Sequence, residues 1–340
     1  MLHPVHFSKK ICGPTPIIVH KKNLVLWRGP SDKLVCFPDV CSHRGAQLSK
    51  GRIGNDGLLQ CGYHGWQFDK KGICVKVPQA SEKQQVQLPL ACNIKPWKVV
   101  ESAGIVWVAP HGPIFPSIAE RVGSFSHSEH FVTDYVLDAR YSYELQIENL
   151  LDPAHIHFVH NGFQGNESKA GHIKAKEIEV DNVKMTLSGV FEHTNDASIP
   201  TIRIVFHWPS VIDVSIYNKD MEVVRKNIIY VTPKNAGTCR VLFRDVAMKK
   251  FLAPPFVRML LGSPSIEETY QIVNQEVVNA IMNQDVTMLE SQQKNFKEGH
   301  TFRSLLLTES DCLIREYKRV AKRWAQEAAI ELGDGPQKMT

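Results

Sequence analysis

The sequence predicts an α+β protein in two domains: an N-terminal antiparallel β domain over residues 1–115, and a C-terminal domain over 116–340 whose curved antiparallel sheet wraps a long helix. Three observations carry this. Short β-rich runs broken by glycine and proline fill the first third of the chain; longer strand-like runs fill 173–247; and a helical pattern follows, from Ser265 to about Lys294. At 340 residues the chain exceeds the roughly 250 to 300 at which one core stops growing, so two cores are expected.

Composition narrows the function classes. Hydrophobic content of 43% with 22% charged residues fits an ordinary globular chain rather than a disordered one. The net charge of +5 is mild and its lysines and arginines are scattered, so no basic stripe suggests nucleic-acid binding. The opening MLHPVHFSKK lacks the apolar core of a signal peptide, and no run of eighteen apolar residues occurs. The expectation is a soluble, cytoplasmic protein with no membrane span. Eight cysteines, at 12, 36, 41, 61, 74, 92, 239 and 312, show no disulfide-framework spacing, which points to reduced thiols.

In the first domain, strands are expected at 16–19, 24–27, 34–37, 58–60 and 104–108, with turns at Gly29-Pro30, Gly51, Gly54, Gly57, Gly72 and Pro78 between them. Two loops interrupt the pattern as hairpin-like excursions: Cys41-Ser42-His43 and, seventeen residues on, Cys61-Gly62-Tyr63-His64. Two thiolates and two imidazoles suit either a tetrahedral zinc or a two-iron, two-sulfur cluster with cysteines on one iron and histidines on the other. Zinc sites usually group a Cys pair and then a His pair, whereas each loop here supplies one of each. Tryptophans 27, 66, 97 and 107 are read as core and loop packing.

The domain boundary is expected in the Pro110–Pro116 stretch, where His111-Gly112-Pro113 breaks regular structure. Beyond it lies Glu148-Asn149-Leu150-Leu151-Asp152-Pro153-Ala154-His155-Ile156-His157-Phe158-Val159-His160. Five residues of ideal helix turn through about 500°, leaving His155 and His160 roughly 140° apart. If both bind one metal, the helix must end or distort between them. Asp152 and His155, three apart, share a face. His157 competes as a ligand, because H-x-H is itself a metal spacing.

Strands are then expected at about 173–180, 183–192, 201–207, 210–217, 222–231 and 238–247. Phe191, Phe206, Trp208, Ile216 and Tyr217 lie in them and are read chiefly as core, with a smaller claim to line a pocket. Ser265-Ile-Glu-Glu268 reads as a capping box opening the long helix. Inside that helix Asp285 is flanked by Ile281, Met282, Met288 and Leu289, an apolar stripe. An unpaired carboxylate there costs several kcal/mol, so it should meet a metal, a cation such as Arg225 or Arg244, or a set of donors. His155, His160 and Asp285 together would form the two-histidine, one-carboxylate triad of non-haem Fe(II) sites. A last amphipathic helix is expected at about 311–332, with Lys318, Arg319, Lys322 and Arg323 on a solvated face that could alternatively dock an acidic ferredoxin.

Two motifs and a distant third ligand in this order resemble the Rieske non-haem iron oxygenases, and the resemblance covers nearly the whole chain. It implies a Rieske 2Fe-2S cluster on Cys41, His43, Cys61 and His64, and a mononuclear Fe(II) on His155, His160 and Asp285 in a helix-grip domain. His157 is then left to packing or substrate contact. The loops read His43-Arg44-Gly45-Ala46 and His64-Gly65-Trp66, without the extra cysteines and serine of respiratory Rieske proteins. That places the expected potential near the low end of the Rieske range, about −150 mV. Asp152 would join His155 to His64 of a neighbouring subunit, which implies a ring, usually a homotrimer. Asn149 is expected near the iron.

The implied activity is mono-oxygenation of a small molecule by O2. No flavin or nicotinamide fingerprint is visible, so electrons should come from a separate NAD(P)H-dependent reductase or ferredoxin. Asn283–Val286 and Glu290-Ser291-Gln292-Gln293 look most like the pheophorbide a oxygenase-like and saxitoxin-pathway hydroxylase subgroups. The chain departs from the plant proteins of the first subgroup in lacking membrane-spanning segments and a C-terminal C-x-x-C, with only Cys312 there. Hydroxylation of a specialised metabolite is therefore expected, with oxidative demethylation next and a bare electron carrier or a cavity-binding protein as rivals.

Overall fold

The computed structural model describes residues 2–110, 125, 128–193, 200–252, 264–299 and 305–331, with only the backbone for 252, 264–267, 269 and 328–331. The chain divides into two compact units, residues 1–120 with 232–235, and 121–231 with 236–340. The expected boundary at 115/116 falls outside the described residues.

The first unit contains β1 (His3–Phe7), β2 (Thr15–Val19), β3 (Lys22–Arg28), β4 (Leu34–Pro38), β5 (Arg52–Ile53), β6 (Leu59–Gln60), β7 (Gln67–Phe68), β8 (Cys74–Lys76), the short helix α1 (Glu82–Val86), β9 (Lys98–Ser102) and β10 (Ile105–Ala109). They form three sheets in the orders β1-β10-β9, β2-β3-β4 and β5-β6-β7-β8. Strand β3 explains why its sequence is apolar without alternation. Val25 and Trp27 pack with Phe37, Leu59, Phe68, Cys41 and Cys61, while Leu24 and Leu26 pack with Val5, Ile17, Val106 and Val108. Alternate residues thus feed two cores, and the first of these cores carries both predicted cysteine ligands.

Several strands here were not expected. β1 contains Pro4, which argues against a strand, but β1 is a sheet edge and its register shifts between Pro4 and His6, where a missing N–H costs little. β5 and β7 are two residues each, too short to show any period.

The second unit contains β11 (His130–Ala139), α2 (Tyr143–Leu150), α3 (Ile156–Val159), β12 (Ile173–Asp181), β13 (Thr186–His193), β14 (Thr201–His207), β15 (Val211–Tyr217), β16 (Val223–Asn235, apart from its last four residues), β17 (Thr238–Met248), α4 (Lys249–Leu252), α5 (Pro264–Lys297) and α6 (Cys312–Glu331). Its seven-stranded antiparallel sheet has the order β11-β17-β16-β15-β14-β13-β12. Strand β11 escaped the sequence reading. Its Asp134 and Asp138 lie directly opposite Arg244 and Arg240 of β17, so charges that resemble a loop are cross-strand ion pairs.

The inner face of the sheet supplies Leu187, Phe191, Ile204, Phe206, Ile212, Ile229, Val231, Val241 and Phe243 to one core. Val278, Met282 and Leu289 of α5 and Leu313, Tyr317, Val320 and Trp324 of α6 join it. Phe191 and Phe206 are core, as expected, and Phe206 packs edge-on against Tyr317 and Trp208. The stripe around Asp285 is narrower than the sequence suggests: Ile281, Met282 and Leu289 are buried, but Met288 is exposed. The side chain of Ser265, and with it the expected capping box, lies outside the described residues. Among the described residues no helix is long and apolar enough to cross a membrane.

Candidate metal centres

The first two ligand loops are built alike. One joins β4 to β5, the other is the tip of the β6–β7 hairpin. In each, the cysteine N–H donates to a carbonyl five residues on (Cys41 to Ala46, 2.8 Å; Cys61 to Trp66, 2.9 Å). In each, the glycine four residues on donates back to the cysteine carbonyl (Gly45 to Cys41, 2.9 Å; Gly65 to Cys61, 3.1 Å). Gly45 and Gly65 have φ of 73° and 77°, the left-handed conformation that glycine adopts without strain. Outside tethers finish the geometry: Ser42 Oγ donates to Cys92 O at 2.6 Å, and Gln79 Nε2 to His64 O at 3.0 Å. At the base of the first loop the Asp39 carboxylate accepts from Ser49 N–H and Oγ, both at 2.7 Å.

Cys41 and Cys61 are buried, while His43 is exposed and His64 partly so. The two imidazole centroids lie 4.6 Å apart, and Trp66 stacks on His43 at 4.5 Å with 6° between planes. Burial pushes the Cys41 thiol up to about 11, with Cys61 beside it adding to the rise, so ionising the Cys41 sulfur calls for a cation. Desolvation, then His64 and Arg44, hold His43 below the usual imidazole range, as a neutral ligand.

A single tetrahedral zinc needs its ligand atoms within about 4 Å of one another. Among the described residues, the one group of three or more His, Cys, Asp or Glu with ligand atoms all within 4.8 Å is elsewhere. With Cys41 and Cys61 buried and the His43 and His64 rings further out, a two-metal cluster with sulfurs inside and imidazoles outside fits the set.

The tight group is His155, His160 and Asp285. The expected interruption between the two histidines is present: α3 is one turn, with His155 as its N-cap and His160 as its C-cap. Their rings meet at 5.2 Å and 76°. Asp285 Oδ1 lies 3.3 Å from His160 Nε2 and 3.7 Å from His155 Nε2, and it is buried without a hydrogen-bond partner. The arginines considered as alternative partners are engaged: Arg225 with Asp245 at 2.5 and 2.9 Å, and Arg244 with Asp134 at 2.7 and 2.9 Å. An orphaned carboxylate oxygen facing two imidazole nitrogens is a donor set that a divalent metal completes.

The far nitrogens of these rings are also held. His155 Nδ1 donates to the Asp152 carbonyl at 2.6 Å, and His160 Nδ1 lies 3.0 Å from Gln284 Oε1. Carbonyl oxygens only accept, so each Nδ1 carries the hydrogen and each Nε2 offers its lone pair toward Asp285. Burial lowers the His155 pKa against the pull of Asp285 and Asp152. At His160 burial is the largest influence and acts downward, but Asp285 and Gln284 together outweigh it and raise the pKa.

The other expected residues fall as follows. The Asp152 carboxylate accepts from Ala154 N–H at 2.7 Å and lies 3.9 Å from His155 Nδ1; burial raises its pKa. Asn149, near the end of α2, has a buried Nδ2 without a hydrogen-bond partner. His157 is buried and turned to other work, with Nδ1 accepting from Asn166 N–H at 3.2 Å and Nε2 3.3 Å from His193 Nε2. Lys318, Arg319 and Arg323 of α6 pair with Glu148, Glu316 and Glu327, which favours the solvated-face reading. Trp66, expected among the packing of these loops, is found stacked on His43. Gln284 was missed as a contact of a ligand ring, although its place beside Asp285 was a signal.

Comparison with known proteins places the chain in a family. Residues 4–96 match the Rieske [2Fe-2S] domain, and residues 139–327 match the vanillate O-demethylase oxygenase C-terminal domain. Protein TIC 55 of pea (Pisum sativum), a chloroplast protein, is 27% identical over 333 residues, 93% of this chain and 56% of that protein. Chloroplast pheophorbide a oxygenase of rice (Oryza sativa subsp. japonica) is 36% identical over 172 residues, 46% of this chain and 31% of that protein. The chain therefore spans about half or less of these relatives' length. Dicamba monooxygenase bound to dicamba has the same fold, with a TM-score of 0.76 over 97% of this chain and 98% of that one at 19% identity. With matches over both halves, the C-terminal one alone covering more than half of its residues, this chain belongs to the Rieske non-haem iron oxygenase family.

Proposed function

We propose that the chain is the oxygenase component of a mono-oxygenase that hydroxylates a small organic molecule at a C–H bond. In the net reaction R–H, O2, two electrons and two protons give R–OH and water. The observation that carries this is the buried Asp285 Oδ1, unpartnered and facing His155 and His160 in a chain that also has two matched Cys/His loops. On this reading residues 1–115 hold the 2Fe-2S cluster through Cys41, His43, Cys61 and His64, and residues 116–340 hold Fe(II) through His155, His160 and Asp285. When bound, these groups supply one-electron transfer and oxygen activation.

The chain's own residues do the rest. The Asp152 carbonyl and Gln284 fix the two imidazoles with Nε2 inward, and burial of His160 and Asp285 keeps bulk water away. The unpartnered Asn149 Nδ2 is a donor for an oxygen atom near the site. Asp152 is assigned the coupling role, between His155 and His64 of the partner subunit in a homotrimer; its carboxylate beside His155 Nδ1 supports this. Electrons come from a separate NAD(P)H-dependent reductase or ferredoxin. The setting is taken as cytoplasmic, supported by eight cysteines without a disulfide among them.

The match to the vanillate O-demethylase oxygenase C-terminal domain favours a second reading, oxidative O- or N-demethylation. It starts from the same C–H oxidation, after which the hydroxymethyl group leaves as formaldehyde. One experiment addresses both. The purified chain, supplied with a surrogate reductase, NADPH and isotopically labelled O2, is screened against candidate substrates by mass spectrometry. Label in a hydroxylated product is expected; formaldehyde with a demethylated product selects the second reading. About two irons per chain instead of three, with no oxygen uptake, would reduce the protein to an electron carrier.

A further inference from the structure

We propose that Gln284 is a positioning residue for the mononuclear iron, one that decides which nitrogen of His160 is free to bind the metal. The inference rests on the reading of His155, His160 and Asp285 as the iron ligands. Helix α5 presents Gln284 and Asp285 in succession, about 100° apart around its axis, and His160 spans the two. One ring nitrogen, Nδ1, lies 3.0 Å from Gln284 Oε1; the other, Nε2, lies 3.3 Å from Asp285 Oδ1.

A neutral imidazole has one N–H for two acceptors. Left to Asp285, the hydrogen would go to Nε2, because a buried carboxylate is the stronger acceptor and its Oδ1 has no other partner. That tautomer satisfies the carboxylate and removes the lone pair that a metal needs. Gln284 opposes it by giving Nδ1–H an acceptor of its own, which holds Nε2 open toward Asp285. The apo site is thereby kept from closing on itself.

The two histidines are supported unequally. His155 Nδ1 donates to the Asp152 carbonyl at 2.6 Å with the Asp152 carboxylate 3.9 Å away, whereas His160 leans on a neutral amide. An anionic neighbour makes an imidazole a stronger donor, so His160 is the weaker ligand of the pair and the one most dependent on its outer partner.

The test is Fe(II) affinity, measured anaerobically by competition with a chromophoric chelator on the cluster-containing full chain, with circular dichroism and thermal unfolding to confirm folding. Gln284→Leu keeps the size and loses the acceptor, and Fe(II) should bind ten- to a hundredfold more weakly. Gln284→Glu restores an acceptor in the same place and should bind Fe(II) at least as tightly as the parent. Affinity of Gln284→Leu within twofold of the parent overturns the proposal. Equal weakening in both variants also overturns it, since loss of packing would then suffice. Asp285→Ala separates the two levels: if it still binds Fe(II) like the parent, the ligand assignment has failed rather than the role of Gln284.

Discussion

His43 and His64 stand at the outer edge of two loops whose cysteines are buried, whereas His155 and His160 bracket one turn of helix and face a buried carboxylate. The loops owe their shape to local backbone, each closed by the same two hydrogen bonds and one left-handed glycine. The helix turn owes its shape to distant residues, since α5 supplies both Asp285 and Gln284. The contrast suits what each site would do under the proposed function. A group that exchanges electrons with another molecule needs an exposed edge, while oxygen chemistry needs water excluded. A self-contained loop can be displayed at a surface; an interior site has to be assembled from several elements.

Ligand removal should break this comparison most sharply. Cys61→Ser is expected to abolish the cluster's visible absorption and turnover while leaving Fe(II) binding at the other site; Asp285→Ala should abolish Fe(II) binding and turnover while leaving the cluster's absorption intact. Loss of both metals in either variant would show that the sites are not built independently. Next comes Asp152→Ala, which should retain both metals yet slow product formation from the pre-reduced protein by on the order of a hundredfold. A normal single-turnover rate would remove Asp152 from the coupling role.

The smallest effects distinguish the two loops from each other. An alanine at a left-handed position costs about 1 to 2 kcal/mol. At Gly45 an added Cβ meets nothing within 4 Å, so Gly45→Ala should show that backbone cost alone. At Gly65 it would meet Pro78 Cγ at 3.1 Å and Gln60 Nε2 at 3.2 Å, so Gly65→Ala should lose more stability in thermal unfolding. Equal losses would mean that the second loop yields more readily than its contacts suggest.

The candidate site was more legible in the sequence than the fold around it. Candidate metal ligands are few, chemically distinctive and fixed in spacing, so Cys41 to His64 and His155 to His160 stood out. Asp285 was legible for another reason, as a carboxylate among buried apolar neighbours that burial forbids without a partner. The seven-stranded sheet was legible except for β11, whose aspartates hide a strand until the arginines opposite are known. Gln284 could be read as adjacent to a ligand but not as acting on His160, because a contact across 124 positions is set by packing. The same holds for Trp66, whose stacking on His43 depends on how two loops converge.

Helix α3 is four residues long, against the roughly 12 to 15 that an isolated helix needs to persist in water. Its turn is held from outside, by Asn166 on His157, by Gly165 N–H on the His160 carbonyl at 3.0 Å, and by Gln284 on the His160 ring. Under the proposed assignment, a metal ion gripping both ends of so short a segment would do more than occupy a site: it would close a ring of chain that lacks helical cooperativity of its own. Metal loading and local folding then become one linked equilibrium. Protection of the 156–160 amides from solvent exchange would serve as a gauge of iron content, even in molecules that never turn over.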